Sequence, residues 1–224
     1  MKYKNPTKGV VNLHLVGVGG TGSILAHHIV RLDLAMKALG HPGFNINLWD
    51  PDVVEAHNIG RQMFTLAEVG ANKAEALALK LRNHYCINIQ PHASGYTRVD
   101  TNQWTRHPDL LIGCVDTRKA RRELYGTGVW AFDCGNTANT GQVLMQHPSC
   151  PDTFAEFPGL TKGQEDATPT CSLAESLGRQ ELYINSMVAT TCSQMLWQAF
   201  RHGGLDYRGA FINLKNNIEI KTLS

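Results

Sequence analysis

Gly17-Val18-Gly19-Gly20-Thr21-Gly22 spells G-x-G-x-x-G, directly after the apolar run Val10–Val16 and directly before a helical pattern. Glycine at Gly17, Gly19, Gly20 and Gly22 leaves the backbone bare, so that phosphates can approach the N–H groups at the start of the helix. Asp50 closes the next apolar stretch, Phe44–Trp49, where a carboxylate can accept hydrogen bonds from ribose hydroxyls. Together these residues say nucleotide, and on their own they point first to a dinucleotide dehydrogenase. The loop lacks G-K-[ST], which excludes a P-loop NTPase. Arg61 and Lys73 come next, each no more than a solvated charge when taken singly, and Asp116 alone reads as a helix N-cap. Cys171 opens a helical pattern, a position that favours thiolate.

The elements that must position these groups are legible from periodicity. Leu25, Ile29, Leu32 and Met36 recur at helical spacing between Ser23 and Leu39, and His41-Pro42-Gly43 ends that helix. With the flanking runs this makes one strand–loop–helix–strand unit, with a right-handed crossover expected. A second helix is expected from about Ala71 to His84, with Ala74, Leu77 and Leu81 on one face. Short strands are expected near Asn88–His92, Leu110–Val115, Val129–Asp133 and Gly141–His147, with a helix near Arg118–Tyr125. The predicted class is α/β: a Rossmann-like, mostly parallel sheet with helices on both faces, in one domain spanning residues 1–224. Residues 148–170 are rich in Pro, Gly, Asp and Thr and read as a long crossover loop. One long helix is expected over Ser172–Arg201. Then Ala210–Leu214 and Ile218–Lys221 flank Asn216-Asn217, a pair suited to the positive φ of a tight turn, so the chain is expected to end in an antiparallel hairpin.

The residues after Asp50 carry more than a generic nucleotide fold needs. Asp50-Pro51-Asp52-Val53-Val54-Glu55-Ala56-His57-Asn58-Ile59-Gly60-Arg61-Gln62 resembles the D-x-D-x-V-x-x-x-N-x-x-R-Q signature of the ThiF/MoeB/ubiquitin-activating superfamily. Val69-Gly70-Ala71-Asn72-Lys73-Ala74 is similar to its V-G-x-x-K-A, and Asp116 to Arg121 to its D-x-x-x-x-R. Thr170-Cys171-Ser172-Leu173-Ala174-Glu175 is similar to its T-C-x-x-A-E. The linked motifs agree in order over roughly residues 11–135 and more loosely to about 200. The wording Arg61-Gln62-Met63-Phe64 also resembles ThiF-like members of plasmid-type PRTRC cassettes.

This resemblance implies an activity: ATP-dependent adenylation of the C-terminal carboxylate of a ubiquitin-like, β-grasp protein ending in glycine, carried out by a homodimer. By the same motifs Arg61 and Lys73 would hold the triphosphate with Asn58 beside them, and Asp116 would bind Mg²⁺. Asp50 would hold the ribose, with Asp52 and Gln62 near the nucleotide. Cys171 stands where some members carry a cysteine that takes the acyl group as a thioester, with Cys150 in the same loop as the alternative. Family zinc ligands in C-x-x-C pairs are missing, so zinc is not expected. The N-terminal arginine that related dimers lend across the interface is replaced at most by Lys2, Lys4 or Lys8.

Composition sets the outer limits. Charge is balanced, 21 Lys+Arg against 19 Asp+Glu, which argues against a nucleic-acid binder. No apolar run approaches the ~20 residues of a membrane span. The N-terminus has no apolar stretch behind its lysines, and a cytoplasmic location is the expectation. Competing readings are an NAD-dependent oxidoreductase and a non-catalytic nucleotide-binding module.

Overall fold

The computed structural model describes the whole chain except residues 1, 6, 98–107, 126–129, 151, 163–177 and 179. Cys171 therefore lies outside the described residues. Eight strands form the main sheet, which begins at β2 (Val11–Val16), β3 (Phe44–Trp49), β4 (Ile89–His92), β5 (Leu110–Gly113) and β6 (Trp130–Asn136). These five are parallel, in the order β6-β5-β2-β3-β4. Beyond β6 the sheet turns antiparallel through β7 (Thr140–Gln146), β9 (Gly209–Asn213) and β10 (Glu219–Leu223). A separate antiparallel pair joins β1 (Tyr3–Lys4) to β8 (Gly204–Leu205).

Every residue of β2 is buried, as expected of a central parallel strand covered on both faces. On one face lie α1 (Gly20–Ala38), α2 (Lys73–Tyr85) and α5 (Ile184–His202). They share the larger core with Leu13, Leu15, Ile46, Leu48, Ile112 and Phe132. The other face carries α3 (Arg118–Tyr125) and the short α4 (Thr153–Glu156). Its smaller core includes Leu124 of α3, with Val16, Trp49, Tyr96, Leu111 and Ala131. The α/β class, the mostly parallel sheet with helices on both faces and the closing antiparallel hairpin all match expectation.

Three local expectations need correction. The helix over Ser172–Arg201 is not continuous: residues 180–183 form a bend and a turn, and α5 starts at Ile184. Glu181 donates its N–H to the carbonyl of Ala138 (2.7 Å) instead of to a helical partner, and Gln180 reaches the carbonyl of Thr137. The β7 side of the sheet thus captures the groups that would extend the helix backwards. The hairpin loop spans Leu214 to Ile218, because Asn213 pairs with Glu219, and neither Asn216 nor Asn217 takes a positive φ. Asn213 instead accepts from the N–H of Lys215, closing an Asx turn. Within the 148–170 loop, α4 is N-capped by Asp152 and Pro158–Leu160 forms a 3₁₀ turn, so its described part is ordered structure.

Candidate active site

The glycine loop bends at the carboxyl end of β2, next to the point where strand order reverses, the usual place for a ligand in an open α/β sheet. Gly17 has φ +84°, and a side chain there would press its Cβ to 2.6 Å from the Cys114 carbonyl oxygen. At Gly22 an added Cβ would stand 1.8 Å from the Gly17 carbonyl oxygen, so the loop closes only over bare glycine. The helix that begins at Gly20 has no side-chain cap and no acidic residue in its first turn. Its leading N–H groups and positive dipole end are left for an anion.

In front of this helix end lies a cavity of about 770 Å³. Its walls include Gly17, Gly19, Gly20, Asp50, Asp52, Asn58, Arg61, Gln62, Lys73 and Asp116. Every expected site residue outside the undescribed segment is thus gathered there, apart from Gly22, whose part is to let the loop close. The buried Asp50 carboxylate accepts from the N–H of Val18 (2.7 Å) and of Asp52 (2.9 Å). It ties the glycine loop to the segment after β3 and keeps lone pairs for further donors. Burial raises its pKa, opposed by those two hydrogen bonds and the nearby Lys73 charge.

The segment between β3 and α2 is a string of small devices that place the cations. Asn58 and Glu55 form a capping box around the 3₁₀ turn Ala56–Asn58, with Asn58 Oδ1 accepting from the Glu55 N–H at 2.9 Å. The Asn58 carbonyl then accepts from the N–H groups of Arg61 and Gln62, which fixes where those side chains start. Ser23 of α1 holds the next residue through the N–H of Met63. Arg61 is half-buried and donates through Nη2 to Gln180 Oε1, and burial lowers its pKa. Gln62 Oε1 is buried with no hydrogen-bond partner among the described residues, an acceptor on the cavity wall. Lys73, the first residue of α2, keeps only 10% of its side chain exposed and places Nζ 3.0 Å from Asp52 Oδ2.

A model of the ThiF family matches residues 10–222, nearly the whole chain. The chain belongs to the ThiF family. It is 32% identical to ubiquitin-like modifier-activating enzyme 5 of Drosophila willistoni over 65% of this chain and 38% of that one. To the same enzyme of Xenopus laevis it is 27% identical, over 70% and 38%. The chain thus spans about two fifths of the length of these curated relatives. Among solved structures, E. coli MccB with AMPCPP and selenomethionyl MccA superposes with a TM-score of 0.65 at 15% identity, covering 96% of this chain and 63% of that one. PaaA gives 0.65 at 12%, over 98% and 65%. At such identities these two comparisons establish the ThiF-type fold.

Within that fold, Asp116 is exposed on the cavity wall and has no hydrogen-bond or ion-pair partner among the described residues. A single free carboxylate on a cavity in front of an uncapped helix start fits Mg²⁺, which takes one or two carboxylates plus phosphate oxygens and water. Among the described residues no group of three His, Cys, Asp or Glu is arranged to hold a metal. Cys150 is not among the described residues that line the cavity, and burial raises its thiol pKa. Cys134, in the larger core, and Cys114, packed against that core, also line the cavity. Their mutual contact and burial hold Cys114 well above the usual thiol range, so it is not a ready nucleophile.

Sequence reasoning missed Asn185 and Gln180 in the wall. Asn185 of α5 accepts from Thr21 Oγ1 (3.0 Å) and Asn136 Nδ2 (3.2 Å), clasping the glycine loop from α5. A Cβ on Gly20 would meet its side-chain atoms at 2.8 Å. Trp49 and Tyr96, both in the smaller core, also line the cavity, with Trp49 stacked on His92 at 3.7 Å between centroids. Arg121, the last residue of the D-x-x-x-x-R motif, also lines the cavity and donates to Asp133. No helix among the described residues is long and apolar enough to cross a membrane.

Proposed function

We propose that the chain adenylates the C-terminal carboxylate of a small ubiquitin-like, β-grasp protein ending in glycine, with ATP·Mg²⁺ as co-substrate. The observation that carries this reading is the convergence of Arg61, Lys73, Asp116 and Asp50 on one cavity, in front of an uncapped helix start, in a ThiF-family chain. A dinucleotide dehydrogenase gives no task to two cations and a free carboxylate together. The likeness to the MccB structures holding ATP, or AMPCPP with MccA, supports the same chemistry.

The nucleophile needs no general base, because a C-terminal carboxyl with pKa near ~3.5 is ionised at neutral pH. The obstacle is an anion approaching a polyanion, so the protein's contribution is charge neutralisation and alignment. One carboxylate oxygen bonds to the α-phosphorus as the bond from that phosphorus to the bridging oxygen breaks, and pyrophosphate leaves with the electron pair. Arg61 and Lys73 offset the triphosphate charge, and Asp50 holds the ribose hydroxyls. Asn58 and Gln62 line the path, with Asp52 aligning Lys73. Mg²⁺ held at Asp116 would supply further charge to the phosphates. Where a thioester is formed next, the Cys171 thiolate adds to the acyl carbon and AMP departs. A homodimer and a cytoplasmic site of action belong to this proposal, as does a place beside the PRTRC-cassette members.

Calorimetric titration tests the core of it. ATP·Mg²⁺ is expected to bind and NAD(H) to bind far more weakly. Tight NAD(H) binding without ATP binding would overturn adenylation in favour of an oxidoreductase.

A further inference from the structure

Arg121, on the cavity wall, forms a buried ion pair with Asp133, which is not itself on that wall. Asp133 lies in β6, and its side chain is fully buried. Its Oδ1 accepts from Arg121 Nε at 3.1 Å, and its Oδ2 from Gln142 Nε2 of β7 at 3.3 Å. The neighbouring backbone makes room for this. A Cβ on Gly135 would stand 2.1 Å from Gln142 Nε2 and 2.7 Å from Arg121 Nη2. Because Asp133 takes Arg121 by Nε, the planar fork of the two Nη groups remains for another acceptor. Among the described residues neither Nη has a hydrogen-bond partner, and Arg121 lines the cavity.

Position narrows what that acceptor is. Asp50 and Lys73 come after β3, and the glycine loop comes after β2. The β6 anchor of Arg121 lies three strands from β3, at about 4.8 Å per step. Charge points the same way. A guanidinium already paired with a buried carboxylate offers directional donors with little net charge. Such a group aligns a monoanion and leaves its electrons available, whereas a polyphosphate is held better by unpaired cations. We propose that Arg121 docks the incoming C-terminal carboxylate, and that Asp133 and Gln142 are positioning residues that turn its Nη fork into the cavity. This assignment rests on the adenylation reading and adds to it the side from which the second substrate enters.

The test tracks the Arg121 guanidinium signals by NMR in arginine-labelled protein, assigned with Arg121→Lys. Glycylglycine serves as the probe carboxylate, glycylglycinamide as its uncharged control and inorganic pyrophosphate as the competing anion, with and without the ATP analogue AMPCPP·Mg²⁺. Saturable shifts with glycylglycine and none with the amide are expected. Asp133→Asn should weaken glycylglycine by about tenfold or more, the worth of one charge-assisted hydrogen bond. ATP affinity in that variant should stay within about twofold, as for an independent site. An Arg121 that ignores glycylglycine, or answers pyrophosphate more strongly, overturns the proposal, and so does an Asp133→Asn protein that binds the probe normally. The wild-type comparison decides even if Asp133→Asn fails to fold. Failure of the adenylation reading would be visible separately, as absent ATP binding in the parallel titration.

Discussion

Lys73→Met separates a structural role for this lysine from a role in binding phosphate. The Lys73 side chain is 10% exposed, and its ammonium lies 3.0 Å from Asp52 Oδ2, whose own side chain is 66% exposed. An ion pair with one partner so open to water contributes only about 0–1 kcal/mol. Methionine keeps the unbranched apolar stem and removes a charge that is costly to bury, so packing is largely retained. The expected change in stability is therefore within about 1 kcal/mol, a shift of no more than ~4 °C in Tm for a chain of this size. Binding should respond quite differently. Losing one charge-assisted contact to phosphate costs about 1.5–3 kcal/mol, roughly 10- to 100-fold in ATP affinity. Partner-dependent pyrophosphate exchange should fall by about 10²–10³. Differential scanning fluorimetry, calorimetry and the exchange assay read the three quantities on one preparation. A Tm loss well beyond ~4 °C with undiminished ATP affinity would refute the reasoning and make Lys73 a structural residue.

Asp116→Ala should abolish exchange and leave the melting temperature unchanged, because the carboxylate is exposed and unpartnered among the described residues; exchange at the wild-type rate would remove Asp116 from the site. Cys171→Ala should retain exchange while losing any partner adduct cleaved by reductant, and Cys150→Ala should retain both. Comparison of reducing and non-reducing gels checks this, and an adduct that survives Cys171→Ala would end the thioester role. His14 gives a pH prediction, since burial, and then the His92 charge, lower its pKa from 6.5 to about 4. The unfolded chain takes up this proton first, so the contribution is intact above pH 6.5 and is lost as the pH falls from 6.5 towards 4, by about 3 kcal/mol in all. Chemical denaturation across that window should show the loss in wild type and a flatter profile in His14→Gln; equal profiles would mean that His14 does not control it.

The parts of this site that were legible in the sequence are those set by local backbone geometry. Gly17 and Gly22 are dictated by close approaches inside one loop, and Asp50 by its place at a strand end. The Glu55–Asn58 capping box that aims Arg61 comes from the structure, whereas the sequence names Asn58 only through the motif. Asn185 and Gln180 were invisible for the opposite reason, since they meet Thr21 and Arg61 from 164 and 119 residues away. No periodicity encodes such a meeting, which depends on how α5 crosses α1. The same capture by β7 explains why the helix expected from Ser172 breaks over residues 180–183. Asp133 read as an ordinary strand end, because nothing in the sequence shows that β7 brings Gln142 alongside it.

The partners of the three cations in the cavity wall differ in how readily they can be exchanged, and this orders what happens when nucleotide arrives. Arg61 rests on Gln180, a neutral amide, which a phosphate oxygen replaces with a stronger charge-assisted bond. Lys73 rests on Asp52, whose exposed carboxylate regains water when the ammonium turns away, so that exchange is also inexpensive. Arg121 rests on Asp133, which has no water to fall back on; separating them would strand a buried charge at a cost of about 3–5 kcal/mol. On the proposed function, the triphosphate therefore recruits Arg61 and Lys73 from loosely held positions, while Arg121 stays where the fold puts it. The nucleotide side of the cavity adapts to its ligand and the β6 side does not. A rigid β6 side suits the carboxylate, because its attack on phosphorus depends on alignment more than on added charge.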